Sequence, residues 1–163
     1  MNIAQPRIKV LSLVALFTAL SVIGSMIKLP SPYGTVALDS CPAFVAALLI
    51  SPAAGAWVGF FGHILTSWNA GFPLSIPIHL FIALQMAAIC WSCGMVAGKG
   101  RFLLALIVAA VLNGVAAPAM FIFFDGFGTA FFLTMLLPLL FGSVVNAALA
   151  GLIVKALRRS GNG

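Results

Sequence analysis

Long apolar runs, bounded rather than interrupted by charge, decide what this chain can fold into. Only ten of its 163 residues are charged, eight basic and two acidic. Arg7 and Lys9 precede the first run, Lys99 and Arg101 divide the chain near its middle, and Lys155, Arg158 and Arg159 close the last run. Between them lipid is the expected solvent. Lys and Arg are retained on the cytoplasmic side during insertion, so the net charge of +6 reports orientation rather than an affinity for nucleic acid. The chain reads as a small polytopic membrane protein.

At 63% hydrophobic and 6% charged, it lies far from the soluble average of roughly 45–50% apolar and 25% charged. A helical span needs about 20 apolar residues, so a chain of this length holds about six at most, with no room for a soluble catalytic domain. Val10 to Met26 carries the basic flank of a signal peptide, but the further apolar segments favour a retained first helix.

The pattern predicts an all-α membrane protein, a six-transmembrane-helix bundle in one domain over 1–163, with both termini cytoplasmic. The first helix covers about 8–27 and stops at Lys28-Leu29-Pro30-Ser31-Pro32-Tyr33-Gly34, where two prolines and a glycine prevent continuation. An outer loop from Ser31 to Ser40 carries Asp39. The second helix covers about 41–51, with Asp39 or Ser40 as N-cap and Pro42 in its first turn. Ser51-Pro52-Ala53-Ala54-Gly55 then forces a tight hairpin, because proline removes a backbone bond that hydrocarbon cannot replace. The third helix covers about 53–69 and ends with Trp68 at interfacial depth. The fourth covers about 76–96, the fifth about 102–124 with a kink at Pro118, and the sixth about 129–157. Gly98-Lys99-Gly100-Arg101 is a cytoplasmic turn and Asp125-Gly126-Phe127-Gly128 an outer one.

This topology gathers the unusual polar residues on one side. Asp39 and Asp125 fall in outer loops, His63, His79 and Gln85 in the outer half, and Asn113 and Asn146 near mid-membrane. A cavity opening outward is the simplest arrangement that hydrates or pairs such groups. The substrate-binding candidates are Tyr33, Asp39, His63, Trp68, Asn69, His79, Gln85 and Asn113; Asn146 reads as helix packing. Asp39, His63 and His79 have metal-ligand chemistry, but no pair has a ligand-like i, i+4 spacing, so no metal site is expected. Cys90-x-x-Cys93 lies within an apolar helix without a second pair, and reads as two small packing side chains.

No Ser-Lys, paired-Asp or H-E-x-x-H arrangement provides catalysis in the membrane, so no catalytic residue, enzyme activity or cofactor is expected. There is no phosphate-binding loop and no acidic residue at mid-membrane to relay protons or sodium. Uphill transport would need energy from a partner. Faces of small residues occur at Ser12, Ala15 and Ala19, at Gly55 and Gly59, and at Gly142, Asn146 and Ala150, where helices can approach closely.

The whole chain resembles a substrate-capture (S) component of an energy-coupling factor (ECF) transporter, the vitamin-importing branch of the ABC systems. The likeness rests on the six expected spans and on Ala15-Leu16-Phe17-Thr18-Ala19-Leu20. The run Lys28 to Ser40, with Gly62-His63-Ile64-Leu65 and Gly71-Phe72-Pro73-Leu74, is similar to the subgroup assigned to α-ribazole, the lower-ligand nucleoside of cobalamin. Nickel- and cobalt-specific relatives carry a histidine next to the initiating Met, where this chain has Asn2. The resemblance implies a prokaryotic plasma-membrane location, a transmembrane coupling subunit docking along Ala15 and Ala19, and two cytoplasmic ATPases. It also implies a subunit that topples within the membrane. From the residues themselves, the Pro/Gly-rich loop 31–40 is expected to close over the ligand as a lid hinged at Pro30, Pro32 and Gly34. Cobalamin, pantothenate, thiamine or its pyrimidine precursor, and a transition-metal ion are the alternative substrates, and an intramembrane enzyme the alternative class.

Overall fold

The computed structural model describes residues 4–31 and 34–160. α1 (Ala4–Met26) leads into β1 (Lys28–Ser31) and β2 (Gly34–Ala37), an antiparallel hairpin pairing Lys28 with Ala37 and Ser31 with Gly34. The expected outer loop is thus largely a hairpin, and Tyr33 lies outside the described residues. A lone two-stranded hairpin is marginal in water, so its base needs anchoring. The Gly24 carbonyl accepts from Ile27 N–H at 3.1 Å and from Leu38 N–H at 3.0 Å. Only glycine permits this approach, because a Cβ at residue 24 would overlap the Leu38 carbonyl.

α2 (Cys41–Leu49) is nine residues long. At 1.5 Å per residue it reaches roughly 13 Å, less than half of a hydrocarbon core about 30 Å thick. α2 alone is therefore shorter than a full span, and its bounds lie close to the expected 41–51. Pro52 does end it as anticipated: Ser51 caps α3 (Pro52–Asn69), its hydroxyl accepting from Ala54 N–H at 3.1 Å. α2 begins beside Asn146 and ends beside Arg158, which donates to the Leu48 carbonyl at 3.0 Å. It lies at the centre of the bundle, against α1, α3, α4 and the last helix. The fully buried Phe44, Val45 and Val58 belong to this core.

α4 (Ile76–Gly98) turns through Gly100, at φ +76°, into α5 (Phe102–Val111). The expected kink at Pro118 is more than a bend. A π turn (Leu112–Ala116), one α turn, α6 (Ala117–Ala119), and a 3-10 turn (Met120–Phe123) follow in succession. Proline's missing N–H breaks the regular ladder, and π turns recur at functional sites. α7 (Gly128–Ser160) contains Pro138, which the sequence reading passed over. Among the described residues, four helical stretches are long and apolar enough to cross a membrane: Arg7–Met26, Ile76–Gly98, Phe102–Phe123 and Gly128–Ser160.

Candidate functional site, an acceptor-rich cavity in the bundle

A cavity of about 330 Å³ lies between the 37–40 segment, α3, α4, the π and 3-10 turns, and α7. Its deep side is organised by Asn146. The Asn146 Oδ1 accepts from the Cys41 N–H at 2.8 Å, across 105 residues of sequence. Its Nδ2 donates to the carbonyls of Ala37 at 2.8 Å and Gly142 at 2.9 Å. Asp39 and Ser40 were expected to cap α2 from its own sequence. Ser40 does stand at the N-cap position, but its side chain makes no capping bond; its hydroxyl donates to Asp39 Oδ1 at 3.3 Å. The cap comes from α7 instead. These bonds bring residues 37–41 to the level of Asn146. Irregular backbone is tolerated at such depth where it lines a cavity.

Three side chains on the wall are half-engaged. Ser143 Oγ donates to the Leu139 carbonyl at 2.6 Å, so it can only accept from Asn113, whose Nδ2 lies 2.9 Å away. That fixes the amide orientation and leaves Asn113 Oδ1 without a partner among the described residues. Gln85 Nε2 donates to the Ala117 carbonyl at 3.2 Å, and its Oε1 is buried without a partner among the described residues. The Asp39 carboxylate adds further acceptors. His63 lines the same cavity and is hydrogen-bonded on its other side, its Nε2 3.2 Å from His79 Nδ1 and 3.2 Å from Ser67 Oγ.

Other candidates lie elsewhere. His79 is buried behind His63, and Trp68 and Asn69 border a separate shallow pocket with Val22 and Leu65. The sequence reading missed the aromatic wall. Phe121 and Phe131 line the cavity, their ring centroids 5.3 Å apart, and Phe121 also meets Phe81, Phe124 and Phe127 at 5.8, 5.4 and 5.2 Å. The signal for it was the density of phenylalanine from Phe121 to Phe132.

The family model for the ECF transporter substrate-specific component matches residues 9–158. The chain belongs to that family. A solved structure, "Structure and mechanism of the S component of a bacterial ECF transporter", matches with a TM-score of 0.62 at 18% identity, covering 96% of this chain and 97% of that one. At that identity the likeness speaks for the fold. No curated protein matches the chain. The family is one of transporter substrate-binding components, not of enzymes, and S components work with a module of coupling and ATPase subunits.

In this S component α1 has two distinct faces. Val14, Thr18, Ser21 and Gly24 turn inward, while Leu11, Ala15, Leu16, Ala19, Leu20 and Ile23 are exposed. Ala15 and Ala19 therefore lie on the outer surface of the bundle. The small residues Gly55 and Gly59 on α3 are instead consumed internally, against Ala47 and against Met86 and Cys90. Cys41, Cys90 and Cys93 are free, buried thiols.

Proposed function

We propose that this S component captures α-ribazole from outside the cell for ATP-driven uptake. The observation that carries the reading is the polar pattern of the cavity: acceptors open among the described residues on Asn113 and Gln85, the Asp39 carboxyl beside them, one histidine edge, and the Phe121–Phe131 wall. A ribose supplies hydroxyl donors to acceptors, and a dimethylbenzimidazole supplies a planar apolar face to phenylalanines. Ligand sites combine apolar walls with a few placed polar groups in roughly 300–1,000 Å³. At about 330 Å³ the cavity suits a nucleoside and is far too small for intact cobalamin. A metal-ion substrate is disfavoured because His63 Nε2 and both ring nitrogens of His79 are already hydrogen-bonded. Ser67 and His79, 2.9 Å apart, resemble a nucleophile–base pair. Ser67 is buried, however, and His79 Nε2 meets the Leu74 N–H rather than a carboxylate.

The remaining expectations stand with this reading. The chain is one integral domain over 1–163, a six-transmembrane-helix bundle with both termini cytoplasmic, in a prokaryotic plasma membrane. Loop 31–40 acts as the lid. The coupling subunit docks along Ala15 and Ala19, and two ATPases drive a toppling motion. So few charges favour that motion, since a charge moved through hydrocarbon costs about 3 kcal/mol or more. Isothermal titration of purified protein against α-ribazole, cobalamin, pantothenate, thiamine, its pyrimidine precursor, Ni²⁺ and Co²⁺ tests the substrate. Saturable binding of α-ribazole alone is expected; tight metal binding with no organic ligand refutes the reading.

A further inference from the structure

The histidine pair behind the cavity wall has a proton order that can be worked out from its closed end. The Leu74 N–H donates to His79 Nε2 at 3.3 Å. A ring nitrogen that accepts carries no proton, so His79 is neutral and its hydrogen is on Nδ1. That hydrogen has two neighbours, Ser67 Oγ at 2.9 Å and His63 Nε2 at 3.2 Å. Ser67 Oγ has in turn two side-chain neighbours among the described residues, His79 Nδ1 and His63 Nε2. The nearby His63 carbonyl already accepts from Thr66 Oγ1 at 3.1 Å.

Each assignment converges on one tautomer. With His79 Nδ1 protonated, the serine hydrogen has only His63 Nε2 to receive it. If His79 donates directly to His63, the accepting atom is again His63 Nε2. The alternative, both histidines donating to the serine, leaves the serine hydrogen without an acceptor in a buried site, which costs about 1–3 kcal/mol. His63 Nε2 is therefore bare, and its hydrogen is on Nδ1, the one ring nitrogen without a partner among the described residues.

We propose that His63 is a dedicated hydrogen-bond donor to the cavity through Nδ1–H, and that it selects planar heteroaromatic ligands carrying a bare sp² nitrogen at that edge. This rests on the cavity being the ligand site and goes beyond α-ribazole as such. Asn113 and Gln85 each keep an open carbonyl oxygen and a second amide N–H, so at the His63 edge it is Nδ1–H that distinguishes a ring that accepts from one that offers C–H or N–H. A ring N–H at that edge would face the histidine N–H and leave two buried donors unpaired.

Two measurements on the full-length protein test this. In the first, α-ribazole is titrated against its indole counterpart, in which C–H replaces the bare ring nitrogen. The indole compound is expected to bind roughly tenfold or more weakly, the scale of one lost buried hydrogen bond. That difference disappears in His63→Ala and persists in His63→Asn, whose amide N–H stands in for Nδ1–H. In the second, ¹⁵N spectra of histidine-labelled, ligand-free protein are expected to show protonated Nδ1 and bare Nε2 on both rings, assigned by loss of one set in His63→Asn. Equal binding of the two compounds overturns selection while leaving the proposed function standing. If neither compound binds, α-ribazole capture and ligand selection both fail, and the spectra alone judge the donor assignment. A protonated Nε2 on His63 overturns it.

Discussion

Asn146→Ala removes a joint that ties α7 to both the hairpin and α2, and its cost can be worked bond by bond. The bond to Gly142 is intrahelical, and that carbonyl keeps its helical partner, so its loss is close to neutral. The Cys41 N–H loses its cap, worth about 1–2 kcal/mol at a helix N-terminus. The Ala37 carbonyl loses its bond from α7 to the hairpin, on the order of 0.6 kcal/mol if it is worth what an interhelical bond is in a membrane bundle. Together these come to about 1.6–2.6 kcal/mol, which for a chain of this size lowers the melting temperature by roughly 3–10 °C.

The buried thiols of Cys41, Cys90 and Cys93 provide the assay, because a thiol-reactive dye labels them only as the bundle opens. Asn146→Leu is the control for packing: of similar volume, it leaves no void but makes none of the bonds, so it should melt as low as the alanine variant. Cys41 sits beside the lost cap and should label at lower temperature than Cys90 or Cys93. A melting temperature within about 1 °C of the parent, well below the several degrees expected, would refute the view that Asn146 holds α2 in place.

Ala15→Trp with Ala19→Trp places bulk on the exposed face of α1; it should abolish co-purification with the coupling subunit and ATP-driven uptake while α-ribazole titration stays unchanged. Lost ligand binding in that variant would show the face to be internal packing. Asp39→Ala removes a cavity acceptor without removing the cap, so titration should show roughly tenfold weaker binding, the scale of one charge-assisted bond, with the dye melt little altered. An unchanged affinity with a lower melt would instead assign Asp39 to structure. Gly24→Ala drives a methyl into the Leu38 carbonyl; the thiol melt should fall by several degrees, as overpacking costs about 1–3 kcal/mol, and an unshifted melt would mean that the hairpin base can move aside.

What the sequence made legible was whatever depends on neighbours along the chain. Pro52 marks the α2–α3 turn, Gly98 to Arg101 the α4–α5 turn, and the charge pattern marks a membrane bundle. The hairpin was hidden because four residues per strand are too few for an alternating pattern, while its prolines and glycine read as a loop. The cap on α2 was hidden for a different reason: its donor and acceptor are 105 residues apart. His63 and His79 sit sixteen positions apart, which means nothing on one helix and becomes a contact only when α3 and α4 pack together. The π turn at Leu112–Ala116 likewise accompanies close packing of Gly114 on Leu140.

These hidden features converge on one physical arrangement. Asn113 holds Ser143 with its amide nitrogen, Gln85 holds the Ala117 carbonyl with its own, and His63 holds the serine relay through Nε2. Each side chain uses one polar atom to fix its own position and leaves the other open. A side chain free at both ends would lose rotamer entropy on binding, a cost of up to about 2 kcal/mol for a long one. One anchored at a single end has already met much of that cost in folding. Packing and binding are therefore not competing roles for these residues, because the bond to the bundle is what makes the remaining atom a fixed recognition point.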